Sequence, residues 1–257
     1  MTRRFPAFVA LILLALPLCA PAMAAPAVPG AEAPAISHVQ VSNVRDIYFA
    51  VSWLTSESAN AEVRYGATPA LGQVAHDTRG SAHVGQTHYV AITGLAPSTT
   101  YYFDVVSGGV VDNNGGAHWQ VTTGPTLAPP TSDSIYGQVF LSDGATPAAG
   151  AIVYLRVQNA DGVGSGGQSA LLSSLVTDDG YWFLNLRSAR TADAAAYFEY
   201  SASGDQVAAE AHGAHGQRGS LTVDTANDAP APPMVLSGGG PGPAPLWFPL
   251  IMRDAQR

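Results

Sequence analysis

Residues 46–54, DIYFAVSWL, decide the fold of this chain. Apolar side chains recur at every second position, so Ile47, Phe49, Val51 and Trp53 would share one face of an extended segment. A period of two is typical of a strand that buries one face and exposes the other. The stretch therefore predicts a β-strand with these four side chains in a core.

Alternation of the same kind continues on the C-terminal side of this strand. Residues 61–65 and 101–105 repeat the period of two, and Asn113–Gly116 has the composition of a tight turn before a further strand. About seven short strands in some ninety residues are typical of a β-sandwich. We therefore predict a first sandwich domain over residues 35–124.

These strands also resemble a known module, the fibronectin type III domain, in the variant found at the N-terminus of purple acid phosphatases. The resemblance is carried by Trp53, by the EVRYG strand at 62–66 and by Leu95, Pro97 and Tyr101 at a corner. It implies that Tyr101 turns its hydroxyl back to the nearby backbone while its ring fills the core. It also implies an accessory domain, because the clustered Asp, Asn and His ligands of the phosphatase's catalytic half, with their G-N-H motif, are missing from this sequence.

A second pattern begins after the Pro-rich residues 125–133. Alternating residues at 135–141 and 150–157, and the strand–hairpin–strand run LVTDDGYWFLNL at 175–186, resemble the carboxypeptidase regulatory-like domain, a transthyretin-like sandwich. The resemblance implies a folding, spacing or adhesion module without catalytic residues. We predict this second domain over residues 133–236, with its later strands near 196–202, 206–211 and 220–224. The fold class is therefore all-β, with two β-sandwich domains in tandem.

Both ends of the chain differ in composition from these domains. Residues 1–24 combine an Arg pair, an apolar run and a small-residue cleavage site, as a secretory signal peptide does. The apolar run is too short to span a bilayer, so we expect no transmembrane helix. Residues 237–257 form a Gly/Pro linker followed by a short apolar tail, LWFPLIMR, expected to be flexible. These features predict a secreted protein, free or associated with the cell surface.

The composition excludes several classes of function. The formal net charge is −8, and all 11 basic residues are Arg. Nucleic-acid binding requires a dense cationic face, which this sequence does not supply. No nucleophile elbow or phosphate-binding loop occurs, so we expect neither enzyme activity nor a cofactor.

Two histidines are the weak candidates for a metal site. His212 and His215 have a spacing that could place two imidazoles on one ion if the loop folds back, with Glu210 two residues away. A metal-dependent hydrolase is thus an unfavoured alternative function. Two ligands without a third make a poor site, and the competing interpretation is a polar loop of a β domain.

Aromatic side chains are the better candidates for binding. Strand alternation directs Tyr48 and Tyr89 away from the first core, and Tyr181 and Phe183 away from the second. Exposed aromatic rings stack on sugars or anchor protein partners, so the expected partner is an extracellular protein or a polysaccharide. The alternative is that these rings pack between the two modules. The function predicted from sequence is non-catalytic binding, adhesion or spacing at a bacterial surface, with carbohydrate recognition as the first alternative.

Overall fold

The computed structural model describes residues 33–238, and the structural statements below concern that part of the chain. The predicted signal peptide, residues 1–24, lies outside it. So does the predicted tail apart from Ser237 and Gly238.

The first eight strands form two sheets that face each other. The strands are β1 (Ile36–Ser42), β2 (Tyr48–Ala59), β3 (Ala61–Gly66), β4 (Gln73–His76), β5 (Gly85–Thr93), β6 (Thr100–Ser107), β7 (Val110–Asp112) and β8 (Trp119–Thr122). One sheet has the order β1-β2-β5 and the other the order β4-β3-β6-β7, with β8 also paired to β6. The pairs are antiparallel, as expected for strands joined by short connections.

The core of the first sandwich confirms the alternation read from residues 46–54. Phe49, Val51 and Trp53 are fully buried in one cluster with side chains from β3, β5 and β6. Ile47 is the exception, because it precedes the first residue of β2 and is 52% exposed. The hydroxyl of Tyr101 accepts a hydrogen bond from the amide of Ala96 at 2.9 Å while its ring is buried, as the resemblance implies.

Seven further strands form a second pair of sheets. They are β9 (Ser134–Phe140), β10 (Ile152–Gln158), β11 (Leu172–Leu175), β12 (Tyr181–Asn185), β13 (Gln206–His212), β14 (Arg218–Asp224) and β15 (Met234–Val235). One sheet has the order β11-β10-β13-β14 and the other the order β12-β9-β15, in which β15 runs parallel to β9. The described chain is therefore all-β, with two sandwiches.

One strand predicted in the second sandwich is absent. Residues 196–202 contain only an isolated bridge between Arg190 and Tyr197, and they are otherwise irregular. Phe198 and Tyr200 are nevertheless buried in the core. The alternation at 196–202 thus reflects burial of side chains without a sheet ladder.

The two sandwiches pack sheet against sheet, which gives four layers. Side chains on the outward faces of β2 and β5 meet those on the outward faces of β10 and β11 in a separate apolar cluster. Consequently β10 is buried on both of its faces along nearly its whole length. Residues 33–238 belong to one compact unit. The described residues include no helix with the length and apolar character needed to cross a membrane.

One carboxyl group in the second sandwich is poorly accommodated. Asp228 is buried, and its Oδ2 has no hydrogen-bond partner within residues 33–238. Burial, together with the charges of Asp133 and Asp224, raises the pKa of Asp228 to about 6. The folded state therefore holds the proton more tightly than the unfolded chain between pH 3.8 and 6.

Replacing Asp228 by asparagine is expected to stabilise the protein at pH 7 by about 1 kcal/mol, after allowance for solvent screening. Because the folded pKa is raised, the wild-type free energy of unfolding loses this amount as the pH rises through that window, and Asp228→Asn removes the loss. Urea unfolding at several pH values measures it. Asp179→Asn, which removes a charge from the exposed turn between β11 and β12, is the control. Equal effects of the two substitutions would contradict the assignment.

Candidate functional site

The first pair of candidate binding residues is not solvent-exposed. Tyr89 is only 6% exposed, and Tyr48 is half-buried. Both rings pack against Ile152, Tyr154 and other side chains of the second sandwich. The prediction that Tyr48 and Tyr89 face solvent is therefore wrong, because the sheet face that carries them is covered. The two rings instead pack between the two sandwiches, which is the alternative stated above.

A buried polar network joins the two sandwiches around Tyr89. The Asn43 Nδ2 group donates to Tyr89 Oη and to the carbonyl oxygen of Ser173, each at 2.9 Å, and the Ser173 amide donates to Asn43 Oδ1 at 3.0 Å. A second link joins Ser52 Oγ and Tyr154 Oη at 2.8 Å. Burial raises the pKa of both tyrosines well above the ordinary value, so both hydroxyls remain protonated.

Backbone contacts extend this interface beyond the tyrosines. The backbone N–H of Asn43 donates to the Leu171 carbonyl oxygen at 2.8 Å. The Thr87 hydroxyl Oγ1 donates to the Gly150 carbonyl oxygen at 2.7 Å. The Pro-rich residues 125–133 are attached to the second sandwich as well. Arg190 donates to the carbonyl of Pro125, and Tyr197 Oη donates to the carbonyl of Ala128 at 2.8 Å.

The histidine candidates do not come together as a metal site. His212 is buried on β13 and its Nε2 lies 3.2 Å from Glu210 Oε2, whereas His215 is exposed in the following turn. The nearest ring to His212 on the first sandwich is His38, which hydrogen-bonds Arg218. Within residues 33–238 no group of three His, Cys, Asp or Glu side chains is placed to hold a metal ion.

The charges around His38 disfavour a further cation. Burial and the nearby groups Arg218 and His212 lower the pKa of His38. A metal ion would have to displace the Arg218 guanidinium from the imidazole, because the two already share a hydrogen bond. His38, His212 and Arg218 therefore pack and hydrogen-bond at the interface between the sandwiches.

The second pair of candidate residues does face solvent. Tyr181 and Phe183 on β12 are 49% and 57% exposed, and Trp182 between them is buried in the core. In the sheet, Phe183 lies directly opposite Tyr136 of β9, which is 38% exposed. The sequence reasoning missed Tyr136, although the alternation of Ile135, Gly137 and Val139 already directed it outward.

Two more side chains extend this exposed surface to the other edge of the sheet. Phe140 of β9 is half-buried on the same side, and its parallel neighbour Val235 on β15 is 46% exposed. We name this surface the aromatic face and define it by Tyr136, Phe140, Tyr181, Phe183 and Val235. Aromatic rings and a Val methyl pair offer stacking and apolar contact rather than acid–base chemistry.

Comparison with known proteins identifies the first sandwich. Residues 34–123 match the family described as purple acid phosphatase, N-terminal domain. No curated protein matches the chain.

Two solved structures show weak similarity to the chain. "Structure of PhoD" is 9% identical with a TM-score of 0.27, covering 40% of this chain and 21% of that one. The chicken CNTN1 FN1-FN3 domains are 12% identical with a TM-score of 0.25, covering 79% of this chain and 66% of that one. The chain thus spans less than two thirds of either structure, and neither similarity supports a functional argument. The family match does identify one part: residues 34–123 form a domain of the purple acid phosphatase N-terminal type, which has a fibronectin III-like fold.

Proposed function

We propose that this protein is a secreted or cell-surface bacterial protein that works without catalysis, as a stiff two-domain spacer or adhesion module. A fibronectin III-like accessory domain suggests a non-catalytic spacer or binding module, although a fold alone does not fix a function. The proposed domains span residues 35–124 and 133–236. Export rests on the signal-like composition of residues 1–24.

The second domain is proposed to be a carboxypeptidase regulatory-like, transthyretin-like sandwich. Its supporting features are the buried alternating residues Ile135 and Val139 on β9, and Val153 and Leu155 on β10. The predicted turn is present at Gly180, whose φ of +83° favours glycine. The run at 175–186 is nevertheless not the β-hairpin expected from sequence, because β11 and β12 are unpaired and belong to different sheets. Such a domain would add length and a second outer sheet without adding reactive groups.

The observation that carries the proposal is the interface between the sandwiches. Domains in tandem usually move relative to one another unless their shared surface is large and apolar. Here Tyr89, Ile152 and Tyr154 are buried between two sheets, and Asn43 and Ser173 hydrogen-bond across the contact. Reorienting the sandwiches would leave these polar groups buried without partners or expose the apolar cluster, and either change is costly. We therefore expect the two sandwiches to move as one rigid body.

Spin-label distances test this rigidity. In a Cys19→Ser background, labels at Val74→Cys on β4 and Thr222→Cys on β14, both exposed strand positions on different sandwiches, are expected to give a single narrow distance distribution by pulsed EPR. Labels at Val74→Cys and Val111→Cys, within one sandwich, measure the width due to the label alone. A distribution between sandwiches much broader than that control would contradict the rigid spacer.

A further inference from the structure

We propose that the aromatic face is the docking site of the chain's own C-terminal segment, residues 246–252. The segment LWFPLIM would lie across the outer surface of the β12-β9-β15 sheet. This assignment concerns a site that the spacer function does not require, and it can succeed or fail independently of the rigidity between sandwiches.

The aromatic face has the character of a surface made for contact. Its exposed rings are neighbours. Phe183 lies opposite Tyr136 on the adjacent strand, and Tyr181 lies two residues from Phe183 on the same face of β12, opposite Gln138. Single exposed apolar residues are ordinary on soluble proteins, but neighbouring ones on a flat sheet mark contact surfaces. The other outer exposed aliphatics, such as Val74 on β4 and Val111 on β7, lie on strands at opposite edges of their sheet.

The C-terminal segment has matching chemistry. Residues 246–252 supply Trp, Phe, Leu, Ile and Met side chains with a single Pro, and residues 239–252 contain no charged side chain. The aromatic face likewise consists of uncharged side chains. Contact between the two would remove apolar surface from water without burying a charge, which is the condition for a favourable hydrophobic term.

Connectivity brings the segment to this face. The last strand before it, β15, is an edge strand of the same sheet, and Val235 on that strand belongs to the aromatic face. Two backbone hydrogen bonds with Arg218 hold Ser237 beside β14, so the span to residue 246 is counted from Gly238. Residues 238–245 reach at most roughly 26 Å when extended. Tyr181 lies two strands across and two residues along from Val235, roughly 12 Å away.

Tethering also favours this occupant over others. A segment joined to its docking surface by only a few residues of the same chain is present at an effective concentration in the millimolar range, so weak apolar contacts suffice for docking. A polysaccharide or a second copy of the chain would have to bind from solution and displace it. Both of those occupants are distinguishable outcomes of the test.

Fluorine NMR of 5-fluorotryptophan-labelled protein tests the docking. The full chain contains four tryptophans, and Trp247→Phe assigns the resonance of Trp247. We expect the solvent isotope shift at Trp247 to be smaller than in a free peptide of residues 244–257 by about twofold, because one face of the indole is covered. The double substitution Tyr136→Ser, Phe183→Ser should restore the value of the free peptide. Val74→Ser with Val111→Ser is the matched control. Native resonances of Trp53 and of Trp182 show that the first and the second sandwich are folded in each variant.

Three results would overturn the proposal. The first is a Trp247 as exposed in the full chain as in the free peptide. The second is protection that disappears on dilution together with a dimer seen by light scattering, which would assign the face to a second copy. The third is binding of a soluble polysaccharide that requires Tyr181 and Phe183 and leaves the Trp247 resonance unchanged, which would assign the face to a glycan.

Discussion

Tyr89→Ala is expected to lower the free energy of unfolding by about 4 kcal/mol, the largest effect of any single change at the interface. The substitution removes a buried ring from the apolar cluster between the sandwiches. It also takes away the hydroxyl to which Asn43 Nδ2 donates at 2.9 Å and which lies 3.0 Å from Ser173 Oγ. Both the cavity and the unsatisfied polar groups lower the free energy of unfolding.

The loss should also separate the unfolding of the two sandwiches. In the wild type we expect one urea transition, coincident by circular dichroism and by tryptophan fluorescence, because the interface couples the cores. In Tyr89→Ala the single transition should split into two, which the separate 5-fluorotryptophan resonances of Trp53 in the first core and Trp182 in the second would follow one by one.

Two matched variants make the test specific. Tyr89→Phe keeps the ring and removes only the hydroxyl, so we expect a loss of about 1 kcal/mol and a single transition. Tyr181→Ala removes an exposed tyrosine from the opposite surface and should change stability by no more than about 0.5 kcal/mol. Similar losses for Tyr89→Ala and Tyr181→Ala would contradict the buried interface.

The sequence predicts the side chains on the inner faces of both sandwiches well, because the period-two alternation that identifies them lies within each single strand. Period-two alternation at Phe49, Val51 and Trp53, and at Trp182 and Leu184, identifies side chains that the structure buries. Alternation cannot tell what lies beyond the outer face, since that depends on packing between elements far apart in the chain. For this reason Tyr89, which alternation directs toward solvent, is buried in the structure, whereas Phe183, which alternation directs outward in the same way, is exposed.

A sign of the buried outer face was nevertheless present in β10. Its residues IVYLRVQ are apolar at Ile152 and Tyr154 as well as at Val153 and Leu155. A near-continuous apolar run indicates a strand covered on both sides, a pattern common in buried sheets. The partner strand β2 gives a weaker sign, because its outward residues Ala50 and Ser52 are small and allow the second sandwich to approach.

The irregular segment at 196–202 shows a different limit. Phe198 and Tyr200 alternate with exposed residues as they would in a strand, and both reach the core. A side-chain pattern reports burial, whereas a strand also needs a neighbouring backbone to pair with. The pattern holds no information on that partner.

Acid is expected to destabilise the first sandwich through His88. This histidine is fully buried opposite Trp53, with ring centroids 5.2 Å apart, and one ring nitrogen, Nε2, lies 2.9 Å from Thr55 Oγ1. Nδ1 has no hydrogen-bond partner among residues 33–238. Burial lowers the pKa of His88 from 6.5 to about 4, with Arg79 and His83 acting in the same direction and Asp77 against it.

The sign of the pH dependence follows from this lowered pKa. Between pH 6.5 and 4 the unfolded chain binds a proton at His88 that the folded state does not, so stability is complete above pH 6.5 and is lost as the pH falls. The loss amounts to at most about 3 kcal/mol at pH 4. Urea unfolding at closely spaced pH values measures it, preferably in the Asp228→Asn background, because Asp228 contributes in the opposite direction over the same range.

His88→Gln isolates the contribution of this imidazole. Glutamine can keep the hydrogen bond to Thr55 but does not titrate, so the variant should be less stable at pH 7 and should lose the slope between pH 6.5 and 4. His76→Gln changes an exposed histidine and should keep the wild-type slope. If His88→Gln retained that slope, the acid sensitivity would have to come from another group. Asp77 would not account for it, because Arg79 and backbone amides lower the pKa of Asp77 below 3.8 despite burial, and its contribution is lost only at still lower pH.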